Sequence, residues 1–178
     1  MAVRMIKIGH ILALGLLAAA AACGQPSETK PTAPVVTDKA TIEANLNVDG
    51  LFVLAPLGGR DTTMGGAEIS VSGPLSYDLV AARSQAARTI ELHTHESQDG
   101  VMQMRQVERF TISQDAPLLM GQGGPHLMVF GFDTTLSPGD EIDLVLDFEV
   151  PLQDNTTELL QIQYKAKVHD FSAVGRGS

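Results

Sequence analysis

From about residue 48 onward, apolar and polar positions alternate with a period of two. The pattern is clearest over residues 141–150 (EIDLVLDFEV), where Ile142, Leu144, Leu146, Phe148 and Val150 fall on one side and mostly acids on the other. Leu160, Ile162, Tyr164, Ala166 and Val168 repeat it. Successive side chains of a strand point to opposite faces, so this alternation predicts half-buried strands. Further strands are expected over 51–54, 67–72, 89–95, 101–107 and 126–132. Turn residues separate them: Gly58-Gly59, Gly65-Gly66, Asp99-Gly100, Gly123-Gly124-Pro125 and Pro138-Gly139-Asp140. No long amphipathic helical period is present. Seven or more short strands with this punctuation imply a single all-β domain, an antiparallel sandwich or barrel.

The N-terminal quarter of the chain reads differently. Arg4 and Lys7 precede an apolar run from Ile8 to Ala22, broken only by His10. That run is short for a bilayer span of about 20 residues and suits the apolar region of an export signal. Ala20-Ala21-Ala22 supplies small residues for cleavage, and Cys23 follows at once. Cleavage there is expected to leave Cys23 as the first mature residue, either bare or, as the position of the sole cysteine favours, acylated as in bacterial lipoproteins. Several acyl chains would anchor the protein to a membrane, since each buried CH₂ contributes about 0.8 kcal/mol. Residues 23–45, with Pro26, Pro31 and Pro34 among polar spacers, read as a tether. The folded domain is then expected over 46–170, with a short tail over 171–178.

Charge narrows the function. Without residues 1–22 the chain carries 10 basic and 21 acidic residues, a net charge of −11. A nucleic-acid surface requires a basic stripe, so that class is excluded. The absence of Trp argues against stacking platforms for bases or sugars. With one cysteine, no intrachain disulfide can form.

The chemistry concentrates in residues 93–128, which hold three of the four mature histidines and four of the five mature methionines. His93/His95, Met102/Met104 and His126/Met128 are i, i+2 pairs, which on a strand share a face at about 6.6 Å spacing. Each residue alone would read as core filler or a satisfied polar group. Together they offer imidazole and thioether donors. Thioether sulfur is soft and favours Cu(I), whereas zinc would recruit Cys or carboxylate and calcium or magnesium would take oxygen. If Leu127 and Val129 face the core, His126 and Met128 face outward, a poor packing choice and a good metal edge. Met64 and Met120 belong to none of these pairs and are expected to be bystanders.

The segment ELHTHESQDGVMQMRQVERFTISQDAPLLMGQGGPHLMVFGF resembles the signature of the bacterial PCu(A)C copper chaperones. His93 is followed by ten residues and Met104, then by twenty-one residues and His126-x-Met128. The resemblance runs from about residue 50 to 168 and includes the flanking LSPGDEIDLVLDF. It implies a cupredoxin-like β-sandwich of Greek-key type that binds Cu(I) in the periplasm. It also implies delivery to a copper acceptor, mainly the dinuclear copper site of cytochrome c oxidase subunit II. By position His93, Met104, His126 and Met128 would be the ligands. His95 stands where many members carry Met and is an accessory candidate; Met102 is a neighbour. The last twelve residues offer only His169, so a second copper site in the tail is not expected.

The residues constrain mechanism independently. Blue-copper electron carriers need a Cys thiolate beside two His, and the only cysteine, Cys23, lies far from the cluster. No Ser/His/Asp or paired-carboxylate signature points to an enzyme. The remaining alternatives to a chaperone are a copper-sequestering protein and a metal-free β-sandwich interaction module.

Overall fold

The structure is a computed structural model, and residues 39–152 and 154–172 are described. Cys23 and the export signal lie outside the described residues. The elements in order are α1 (Lys39–Ala44), β1 (Leu46–Leu54), β2 (Thr62–Val71), β3 (Tyr77–Arg83), β4 (Thr89–Gln98), β5 (Val101–Gln106), β6 (Phe110–Ile112), β7 (Leu118–Leu119), β8 (His126–Phe130), β9 (Glu141–Pro151) and β10 (Thr157–His169). The expected all-β architecture is what forms. The hydrogen-bonded path runs β5-β4-β8-β2-β1-β10-β9-β3-β6, with β7 added to β2. The path curls, bringing β3 against β4 and β6 against β2 although the sheet order separates them.

The alternation read from the sequence sets the core. Ile142, Leu144, Leu146, Phe148 and Val150 of β9 are all buried, as are Leu160, Ala166 and Val168 of β10. They meet Leu79, Leu92, Leu127 and Val129 from β3, β4 and β8 in one cluster. Asp147 breaks the pattern as a buried acid on the outer face of β9. Arg83 covers it, with Nη2 at 2.7 and 2.8 Å from the two carboxylate oxygens.

Three expectations need correction. The sheet is not wholly antiparallel: β1 and β10 pair in parallel, with Val53 opposite Val168. Short turns impose antiparallel pairing on consecutive strands, but the first and last strands share no turn, so nothing local sets their relative direction. The tether was expected to reach residue 45, whereas Lys39–Ala44 is a helix whose Ile42 is buried. One helical turn and a half is too short to show a period of its own. Gly65-Gly66 is not a turn but the middle of β2. A Cβ on Gly65 would lie 2.6 Å from the Phe52 carbonyl oxygen, and one on Gly66 would lie 2.4 Å from that of Met120. These glycines permit close backbone packing rather than a reversal.

The Asp99-Gly100 pair behaves as expected. Both residues have positive φ, 52° and 79°, and close a two-residue hairpin between β4 and β5. That hairpin fixes the register that sets His95 opposite Met104.

Candidate metal site

Register places the candidate residues on one sheet face. His93 is opposite His126 across β4/β8, and His95 is opposite Met104 across β4/β5. Met128 is opposite Glu91 on one side and Met64 on the other. Directly opposed residues share a face, so β2, β8, β4 and β5 present Met64, His126, Met128, His93, His95 and Met104 together. The intervening Leu127 and Val129 face the core and are fully buried.

His126 is not outward in the sense expected. It is only 2% exposed, because the loop after β7 closes over it. That loop also fixes the chemistry. The Gly124 carbonyl oxygen lies 2.9 Å from His126 Nδ1 and 3.2 Å from His95 Nδ1. A carbonyl only accepts, so both Nδ1 atoms carry the proton and both Nε2 lone pairs are left free. His93 is held in the opposite sense. Its Nε2 donates to Glu91 Oε2 at 2.8 Å, which leaves the lone pair on Nδ1. His93 Nδ1 is buried and has no hydrogen-bond partner, alone in this among the buried side-chain polar atoms of the described residues. A buried lone pair without a partner is costly unless something satisfies it.

The rings lie close enough to share an ion. Centroids are 5.9 Å apart for His93 and His126 and 5.1 Å for His95 and His126. Two imidazoles bound to one ion at about 2.0–2.1 Å have centroids within about 6 Å of each other. His95, His126, Met104, Met128 and Met64 line a cleft of about 410 Å³, and Leu57 and Phe171 add to its apolar lining. His93 lies beside His126 and does not line it. Among the described residues no group of three His, Cys, Asp or Glu is placed to hold a metal. The other soft donors that line the cleft are the thioethers of Met64, Met104 and Met128.

The remaining candidates separate. Met102 is 59% exposed and opposite Ser97, outside the cleft. Met120 is buried in the core. His169 stacks edge-on against Phe52 at 5.9 Å, away from the other histidines. Met64, expected to be a bystander, is part of the cleft. Sequence spacing missed it because cross-strand register, not chain distance, brings it there.

Burial holds the pKa of His126 below the ordinary 6.5, and the neighbouring His95 and His93 push it the same way against the Gly124 hydrogen bond. The sign for stability follows. Below about pH 6.5 the unfolded chain protonates this imidazole while the folded chain does not, so protons favour unfolding. The apo domain is expected to lose thermal stability as pH falls from 7 towards 5, with a plateau above 7. Melting curves across this range check it. A flat profile, or one unchanged in His126→Gln, would contradict the assignment.

With the geometry in place, the fold belongs to the cupredoxin-like class of the PCuAC domains. The chain matches the copper-bound PCuAC domain from PmoF2 with a TM-score of 0.55 at 14% identity, covering 71% of this chain and 93% of that one. It matches the solution structure of CuI-DR1885 from Deinococcus radiodurans with a TM-score of 0.55 at 23% identity, covering 86% and 98%. In sequence, the profile of the LpqE-like family ("Putative lipoprotein LpqE-like") matches residues 46–157, and the chain belongs to this family. A relative from Leifsonia xyli subsp. xyli (strain CTCB07), "Putative lipoprotein Lxx21020", is 27% identical over 115 residues. That match spans 64% of each protein, just under two thirds of the relative's length.

Proposed function

We propose that this protein is an extracytoplasmic copper chaperone. It holds Cu(I) through His93, Met104, His126 and Met128, with His95 beside them. The observation that carries this reading is the union, on one sheet face, of thioether sulfurs with imidazole lone pairs that the surrounding hydrogen bonds leave free. The copper-bound state of two proteins of this fold supports it. Soft neutral sulfur selects Cu(I) over Cu(II). The apolar cleft wall limits competition from water.

Delivery would proceed by ligand exchange. Met104 is 53% exposed at the edge strand β5, so an acceptor's thiolate or imidazole can displace it first while the buried His126 still holds the ion. The dinuclear copper site of cytochrome c oxidase subunit II is the proposed acceptor. Acylation of Cys23 would hold the protein at the outer face of a membrane, in keeping with the lipoprotein name of the relative. Loss of membrane partitioning in Cys23→Ser tests that anchor.

The deciding experiment is anaerobic Cu(I) titration against a competing chelator. One Cu(I) per chain is expected, with affinity falling below about pH 6 as protons compete for imidazole. No binding above that of a histidine-free control would sink the reading. Copper retained by the chaperone when mixed with a purified subunit II domain would turn the reading to sequestration.

A further inference from the structure

We infer that Met64 is an additional thioether donor to the copper, outside the His/Met spacing. This rests on the copper reading above. Met64 lies on β2 directly opposite Met128 on β8. Residues so paired have Cβ atoms about 4.5–5.5 Å apart. Methionine has three rotatable bonds beyond Cα, so two such sulfurs can close on one ion.

The main core does not account for Met64. The core-facing residues of β2 are Ala67, Ile69 and Val71, all buried. Met64 falls on the other face, in the alternation that carries exposed Glu68 and half-buried Ser70. An apolar side chain on that face gains little from the core. Met64 lines the cleft together with Met104, Met128, His95 and His126, and with the apolar Ala55, Leu57 and Phe171. The backbone there is fixed. Gly65 and Gly66 follow at once, packed against the Phe52 and Met120 carbonyls with no room for a Cβ. Thr63 Oγ1 also donates to the Leu54 carbonyl oxygen at 2.8 Å. Met64 is thus presented from a clamped strand, opposite the exposed β5 that carries Met104. With Met104, Met64 and Met128 the cleft has sulfur on both sides. The ion can keep two thioethers when an acceptor displaces Met104.

The test compares wild type with Met64→Leu, which keeps side-chain volume and leaves the fold intact. Met120→Leu, in the core, controls for loss of a methionine. Chelator competition should show Cu(I) binding weakened by roughly tenfold or more in Met64→Leu, since losing even a ligand's supporting partner costs about 10–100-fold. Cu(II) affinity should hardly change, and Met120→Leu should match wild type. X-ray absorption at the copper edge should count one sulfur fewer around Cu(I) in Met64→Leu than in wild type. If wild type binds Cu(I) and Met64→Leu matches it in affinity and sulfur count, the Met64 assignment falls and the copper reading stands. If wild type itself binds no Cu(I), both fall.

Discussion

Replacing His126 with alanine is expected to weaken Cu(I) and Cu(II) alike, by about a hundredfold or more, since loss of a ligand should exceed the 10–100-fold cost of losing a ligand's supporting partner. His126 is the ring that both other histidines approach, at 5.9 and 5.1 Å. Its Nδ1–H is tied to Gly124, so its Nε2 is pre-oriented and an added imidazole in solution cannot replace it at equal cost. Met104→Ala and Met128→Ala should act differently. Each removes soft sulfur and no nitrogen, so Cu(I) should weaken by roughly tenfold or more while Cu(II) changes little. His93→Ala should weaken both oxidation states. His95→Ala is the sharpest discriminator within the histidines. The His/Met spacing excludes His95, yet it shares the cleft and the Gly124 carbonyl with His126. Spared Cu(I) binding in that variant would keep His95 as an accessory to Cu(II). Chelator competition on each variant in both oxidation states gives the answer. Wild-type Cu(I) affinity in both the Met104 and Met128 variants would defeat the thioether site and leave only a histidine cluster. Because His126 is buried, its variant needs a melting curve alongside, so that lost binding is not lost fold.

Most of this arrangement was legible in the chain because β structure is read at short range. Period-two alternation named the faces of β8, β9 and β10 correctly, and the i, i+2 pairs of His and Met had to share faces once those strands existed. What could not be read was which strands lie side by side. Met64 is 64 residues from Met128 in the chain yet its direct neighbour in the sheet, and no local pattern encodes that pairing. β3 escaped notice because a register shift between Leu79 and Ala81 breaks its alternation. The burial of His126 was missed for a related reason. A strand pattern tells which way a side chain points, not whether a loop from elsewhere then closes over it. The parallel β1/β10 pair belongs with these, since only the assembled sheet sets the first and last strands side by side.

The helix at the start of the described chain leads to a second large expected effect, on stability rather than binding. A chain beginning at Leu46 should be markedly less stable than one beginning at Lys39, by about 3 kcal/mol, the sum of one buried isoleucine and one buried hydrogen bond. Ile42 is 1% exposed and belongs to the main core cluster. Its carbonyl oxygen accepts a 2.8 Å hydrogen bond from the hydroxyl of Tyr77, itself fully buried on β3. The same carbonyl caps the helix through the Asn45 amide at 3.2 Å. Glu43 comes near enough to Tyr164 of β10 to add to the upward shift that burial gives that phenol. The helix thus packs against the parallel pair β1 and β10, and losing it leaves the Tyr77 hydroxyl without its buried acceptor. Melting should shift down by roughly 10 °C, taking a few degrees per kcal/mol for a domain of this size. Two single changes apportion the effect. Ile42→Ala should cost about 2–4 kcal/mol through the cavity it leaves, and Tyr77→Phe about 1 kcal/mol through the hydrogen bond alone. Both chains should still unfold cooperatively without metal, because the large core of β9 and β10 is independent of the cleft. Cu(I) affinity should be the same in both, since α1 contacts β1 and β10 and none of its residues lines the cleft. Equal melting temperatures would show that residues 39–45 are the tether the sequence suggested, and a melt rescued only by copper would make the metal part of the fold.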